Sequence, residues 1–380
     1  MERIAAFRFF EDPYFKLIHL DFGVLQLAHA TGDYDPGSIT INAQNSVLAN
    51  SLSVDRGSNG NQNTNSGTIT VDAAGGNITI TNTVSAHGIY GGGSPRGGDI
   101  SLTATGTVEI GGDILNYGGG ASGAVTIVGT ALQLQNIDSR SARNNATSNA
   151  VNLTATTGDI TAGNINNHSG RDAKDVTITA ASGYVTIGDV DIRSTLTGKG
   201  AGESGNLTVT SDGNIQIGAV TTDAAETSTT DIGDISLTST SGNIFFNGNI
   251  SAVATIGDAW NGDLTLDAEN GEITLANLDV GTVGEITFIA DAGMGTSITG
   301  DLVGLDTFLG AGTVSRFSTS VVGNIYYDSG VTNNAYLGGQ SYTIDGTSYS
   351  LTAVIPEPST FVLVTLCGLG LLVSVRRRRR

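Results

Sequence analysis

Apolar residues along most of this chain come in short runs, with isoleucine, valine or leucine at i and i+2 and polar residues between. This period of two marks strands with one buried face. Between Ser38 and Glu285 the runs repeat in groups of three. First runs begin at Ile39, Ile69, Ile100, Val125, Val151, Val176, Leu207, Ile235 and Leu264, and a tenth begins at Ile286. Second runs, from Val47 to Ile273, follow seven to nine residues on, and third runs, from Leu52 to Leu278, come five or six residues later. Every first run is apolar again at the next inward position: Ile41, Val71, Leu102, Ile127, Leu153, Ile178, Val209, Leu237, Leu266 and Phe288.

A strand this short with one greasy face cannot fold alone, so each coil must stack on its neighbours through backbone bonds that run from coil to coil. Three strands in each coil of 22 to 31 residues predict an all-β fold. The expected form is a right-handed parallel β-solenoid of about nine to ten three-strand coils, since parallel crossovers are almost always right-handed. Nine coils at about 4.8 Å would make a rod of about 43 Å. Glycine followed by Asp or Asn recurs before the first runs, as at Gly98-Asp99 and Gly205-Asn206, where corners need permissive dihedrals and Asx hydrogen bonds.

The beat fails after Ile286. Four regions result: an N-terminal segment 1–37, solenoid repeats 38–285, a C-terminal capping region 286–352 and a tail 353–380. A cap is needed to cover the last greasy coil and its open edge. Within it, Tyr342 to Tyr349 reads as a hairpin around Asp345-Gly346. The N-terminal segment reads as a poor signal peptide or a misassigned start, with the second favoured. Glu2, Glu11 and Asp12 stand where a basic and then apolar stretch belongs, and Leu17 to Leu27 is broken by His19 and Asp21.

Composition excludes several classes. With 54 glycines, five prolines and only 14% charged residues, the chain does not resemble an ordinary globular enzyme. Its net charge of -19 repels nucleic acid. The single cysteine, Cys367, lies in the tail, so the body has no disulfide and depends on packing and backbone pairing.

The tail is the most explicit part. Pro356, Glu357 and Pro358 precede the uncharged run 361–375, and Arg376, Arg377, Arg378, Arg379 and Arg380 follow it. Fifteen helical residues span about 22 Å, a short transmembrane helix that thinning and arginine snorkelling can accommodate. The arginines act as a membrane stop on the cytoplasmic side. Residues 355–380 resemble the tail of PEP-CTERM proteins. That resemblance implies export in a Gram-negative envelope, recognition of Pro356, Glu357 and Pro358 by a membrane exosortase, and release to the cell surface. The repeats, over about 250 residues, resemble the solenoid of filamentous haemagglutinin-like adhesins.

Candidate chemistry is sparse. The histidines His19, His29, His87 and His168 are isolated in sequence, with no cysteine spaced to complete a zinc site. No cofactor is expected. Asp234, Asp263 and Glu285 precede successive first runs and form the best carboxylate cluster, a weak Ca²⁺ candidate whose plainer reading is corner capping. The outward side of the first runs, from Thr40 to Thr287, is rich in hydroxyls. Ice binding is a third reading for it, weakened by the interruptions Asn42, Asp72 and Val128 in the second column.

Basic and aromatic residues gather between the third run and the next first run: Arg56, Tyr90, Arg96, Tyr117, Arg140, Arg143, Arg171, Lys174, Arg193, Lys199 and Trp260. Repeat proteins often bind partners with such loops, although an exposed loop is also the only place a charge can go in a solenoid. The expectation is therefore a non-enzymatic surface or extracellular-matrix protein, adhesin-like or associated with envelope or extracellular polysaccharide. A carbohydrate-active enzyme of the parallel β-helix type is the alternative.

Overall fold

The computed structural model describes residues 37–251, except for loops at 56–64, 89–94, 142–145, 196–201 and 225–231, and short strands on either side of that stretch. The tail expected to act in sorting, Pro356 to Arg380, lies outside the described residues, as does most of 286–352. No helix occurs among the described residues.

The protein is an all-β parallel β-solenoid with three sheets. About six turns separate Ile69 from Ile235, and each turn contributes one strand to each sheet. The first strand of a turn is five residues long, as in Ile69–Ala73, Ile100–Ala104 and Val176–Ala180. The second has two or three residues, as in Val108–Ile110 and Leu132–Gln133, and the third usually two, as in Ile114–Leu115 and Ile137–Asp138. These are the runs the hydrophobic pattern marks. The third strand near Ile250 begins one residue early, at Asn249.

Register explains why such short strands hold. Ile69 pairs with Ile100, Ile100 with Val125, Val125 with Val151, and Val151 with Val176. Each inward residue thus lies beside an inward residue of the next turn, and the interior is filled by columns of Ile, Val and Leu. Burial alternates accordingly: Ile39–Ala43 and Ile100–Ala104 bury the first, third and fifth positions and leave the others partly or fully exposed. Ile41, Val71, Leu102, Ile127, Leu153, Ile178, Val209, Leu237 and Leu266 are all buried. One cluster of buried residues runs from Ile39 to Ala268 without a break between sub-cores.

Corners are held by Asx side chains that reach the next turn. Asp99 Oδ1 accepts from the Ala124 backbone N–H at 2.8 Å, Asp175 Oδ1 from Asn206 at 2.9 Å, and Asp189 Oδ1 from Ala219 at 2.8 Å. Asn136 and Asn164 do the same for Asn164 and Asp189, both at 2.9 Å. Acidic corner residues are therefore part of the backbone bonding between turns. At Gly98 the turns come so close that a Cβ would run into the Gly67 carbonyl oxygen.

Strand backbone continues outside this stretch. Ile18–His19, Val24–Leu25 and Ala28–His29 pair in parallel with the turn that starts at Ile39. Ile286–Ala290 pairs with Leu264–Ala268. Ser341–Ile344 and Thr347–Ser350 form an antiparallel pair that places Tyr342 opposite Tyr349, the hairpin expected around Asp345-Gly346.

Candidate functional site

The third sheet ends in two outward columns of mostly polar side chains. Ser53, Ser85, Leu115, Asp138, Asn166, Asp191 and Thr221 are in register as the second residue of each third strand. Two residues further on, backbone bonds still run from turn to turn: Gly88 N–H donates to Tyr117 O, Ser141 to His168 O, Ser169 to Arg193 O and Ser194 to Asp223 O. A second column follows, formed by Asp55, His87, Tyr117, Arg140, His168, Arg193 and Asp223. Alternation of the strand turns both columns away from the core, and the residues between them, such as Asn116, Ser139 and Asn167, point inward and are buried.

At one end of the ladder, Asp55 accepts from the Ser53 hydroxyl at 2.8 Å and from the His87 backbone N–H at 3.1 Å, and it also accepts from the Ser85 hydroxyl. His87 Nδ1 lies 2.9 Å from Asp55 Oδ1 and 2.8 Å from Ser85 Oγ. Burial raises the Asp55 carboxyl, but the bonds from His87 and Ser85 and the charge of His87 outweigh it, so the group sits below its usual range. Ser, His and Asp are together here, yet serine and carboxylate share the same ring nitrogen. A nucleophile relay needs one ring nitrogen for the hydroxyl and the other for the carboxylate. This arrangement fastens the corner instead of activating Ser85.

The middle of the ladder is stacked along the rod axis. The His87 ring lies 4.8 Å from Tyr117 with an interplanar angle of 24°, and the Arg140 guanidinium lies 5.8 Å over Tyr117. Successive turns therefore cover the faces of Tyr117, which leaves its edge for contacts outside the protein. Burial, helped by the charges of Asp138 and Asp55, raises its hydroxyl above the usual range.

Beyond Tyr117 each basic residue has an oxygen-bearing side chain two residues before it on its own turn. Arg140 Nε is 3.3 Å from Asp138 Oδ1 and Arg193 Nη2 is 3.1 Å from Asp191 Oδ2. Asn166 holds the matching place before His168, whose Nδ1 lies 3.5 Å from Asp191 Oδ2 on the next turn without forming a hydrogen bond. Burial raises the Asp138 carboxyl, and the Arg140 charge opposes that rise only in part.

Of the predicted loop residues, Tyr117, Arg140 and Arg193 stand in this column. Arg96, Arg171 and Lys174 lie on the return limb that leads to the next first strand. There Arg96 pairs with Ala121, Arg171 Nε is 3.6 Å from Asp172, and the Lys174 carbonyl accepts from Asn167 Nδ2 at 2.7 Å. Arg56, Tyr90, Arg143, Lys199 and Trp260 lie outside the described residues. So do Asp263 and Glu285, while Asp234 is at a corner and donates its backbone N–H to Asn206 Oδ1 at 2.7 Å. Among the described residues, no group of three or more His, Cys, Asp or Glu is placed to hold a metal ion.

Spacing in sequence left His87 and His168 isolated, and the fold corrects this by placing both in the column. The signal was the third residue after each third-run start: Leu52 leads to Asp55, Val84 to His87, Ile114 to Tyr117, Ile137 to Arg140, Ile165 to His168 and Val190 to Arg193. No protein-family model matches the chain, and neither a curated protein nor a solved structure is significantly similar to it.

Proposed function

We propose that this chain is an exported, non-enzymatic surface or extracellular-matrix rod that binds envelope or extracellular polysaccharide along the ladder from Asp55 to Asp223. In this reading the solenoid is right-handed with nine to ten coils, residues 286–352 cap it, and 361–375 form a transmembrane helix. Pro356, Glu357 and Pro358 present the chain to an exosortase, which releases it from the inner membrane to the surface of a Gram-negative cell. The observation that carries the binding role is the ladder itself. It is a continuous, half-exposed file of donors and acceptors, one per turn, suited to a linear polymer with many hydroxyls.

The alternative, a carbohydrate-active β-helix enzyme, would draw its acid and base from Asp138 and Asp191, two turns apart. Each is tied to an arginine of its own turn, which suits positioning better than proton transfer. Export is tested with Glu357→Ala in a host that encodes the exosortase. Full-length protein should accumulate in the inner membrane, and unchanged surface display would refute the sorting role. Binding is tested by affinity electrophoresis of the full chain in detergent micelles through gels that contain polysaccharide. Unchanged mobility in every such gel would refute the glycan role.

A further inference from the structure

The ladder carries its basic groups in a spacing that selects among polymers. Arg140, His168 and Arg193 occupy the same position on three consecutive turns, since Asp138, Asn166 and Asp191 pair in register two residues before them. The two arginine side chains keep 44% and 46% exposure, whereas Asp138 and Asp191 behind them keep only 21% and 25%. The tips of this stretch are therefore guanidinium groups, held in orientation by carboxylates that lie deeper. The arginines stand two turns apart, roughly 9.6 Å at the usual strand spacing.

We infer that this stretch recognises an acidic polysaccharide in which uronate carboxylates recur about every second sugar, with the glycan lying parallel to the rod axis. This rests on the glycan-binding reading above and adds the class of glycan. Planar guanidinium forks match carboxylates in two-point contact. Two sugar units of an extended chain are comparable in length to two turns of the solenoid, so successive acidic sugars meet Arg140 and Arg193. The intervening sugar lies over His168, while Asn166 Oδ1, His168 Nδ1 and Asp138 Oδ1 are buried beneath and out of its reach. A densely charged polyanion fits poorly, because single-stranded nucleic acid carries a phosphate about every 3.4 Å and would press phosphates against Asp138 and Asp191. Tyr117, stacked between neighbours, contributes an edge and not a stacking platform.

The test compares hyaluronan, in which a glucuronate alternates with an uncharged sugar, with the same polymer after its carboxyl groups are reduced to alcohols, in affinity electrophoresis of the full chain in detergent micelles. Retardation by hyaluronan and little by the reduced polymer is expected. The double variant Arg140→Gln/Arg193→Gln should weaken retardation by at least about tenfold, since two charge-assisted contacts are lost. Asp138→Asn/Asp191→Asn keeps both guanidinium groups and leaves an amide oxygen at each place to orient them, while it removes the negative charges that repel a uronate, so it should strengthen retardation several-fold. That variant decides the matter if the arginine variant is poorly folded. Equal retardation by both polymers would overturn carboxylate recognition and leave the glycan role standing. Retardation by neither polymer, nor by any other glycan, would overturn both. Weaker binding in the Asp138→Asn/Asp191→Asn variant would also overturn the inference.

Discussion

Ile178→Asp, set against Thr177→Asp, tests the inward and outward assignment on which the rod depends. Ile178 is fully buried and pairs with Leu153 and Val209, themselves buried, while its neighbour Thr177 points outward and is half-exposed. Removing the isoleucine forfeits about 2–3 kcal/mol of burial. A carboxyl at that place must stay protonated, because desolvation raises a buried acid by about 3–5 pKa units. From an unfolded value of about 3.9, holding the proton at pH 7 costs about 4 kcal/mol. The sum, about 6–7 kcal/mol, rivals the whole stability of a typical domain.

Thr177→Asp should change stability by no more than about 0.5 kcal/mol. The sign with pH also follows. The buried acid has a raised folded pKa, so the folded state binds more protons and the penalty grows as pH rises from about 4 toward 7. The Ile178→Asp deficit should therefore shrink by about 1.4 kcal/mol per pH unit on acidification over that range. Denaturant unfolding of the full chain followed by circular dichroism measures the size. Amide hydrogen exchange shows the place, since coils contact only their neighbours and Val151–Ala155 and Leu207–Ser211 should lose protection first. Equal losses in the two variants, or a deficit that does not vary with pH, would refute the assignment.

Other outcomes follow from single contacts. Asp55 sits below its usual value of 3.8 in the fold, so its contribution to stability is present above that pH and is lost as pH falls through the folded value. The gap in melting temperature between wild type and Asp55→Asn should accordingly close in acid. Asp138 is raised by burial and behaves in the opposite way, so Asp138→Asn should be neutral or mildly stabilising at pH 7, within about 1 kcal/mol, by thermal unfolding. Gly98→Ala forces a Cβ into the Gly67 carbonyl and should cost about 1–3 kcal/mol in denaturant unfolding. Adding Ca²⁺ or a chelator should leave the melting temperature nearly unchanged, because corner acids such as Asp99 and Asp189 are engaged with backbone N–H groups. A shift of several degrees would restore Asp234, Asp263 and Glu285 as a cation site.

The strands were legible because the interior admits only one pattern. Ile69, Ile100 and Val125 must match their neighbours above and below, so each run announces the next. Corner chemistry was legible for the same reason: Asp99 and Asn206 stand where a turn must begin. The ladder was written with equal regularity, but in residues of different kinds. Asp55, His87, Tyr117 and Arg140 share a position and no chemistry, and counting residue types hides what counting positions reveals. Ion pairs such as Arg193 with Asp191 were hidden further, because side-chain geometry decides them. Loop length follows no such rule, which is why Arg96, Arg171 and Lys174 looked equivalent to Arg140 in sequence and yet lie on the return limb.

The constant pairing between turns, with most variation in length confined to loops, makes the coil a unit of heredity as well as of structure. Duplicating one whole coil inserts a segment whose upper and lower faces already match its neighbours, and it lengthens the ladder by one rung. Under the proposed glycan-binding role, a polymer bound at many weak rungs would gain with each addition through effective concentration, without improvement at any single contact. Selection can therefore adjust reach and avidity by copy number, in whole steps, while the contact chemistry of each rung stays untouched.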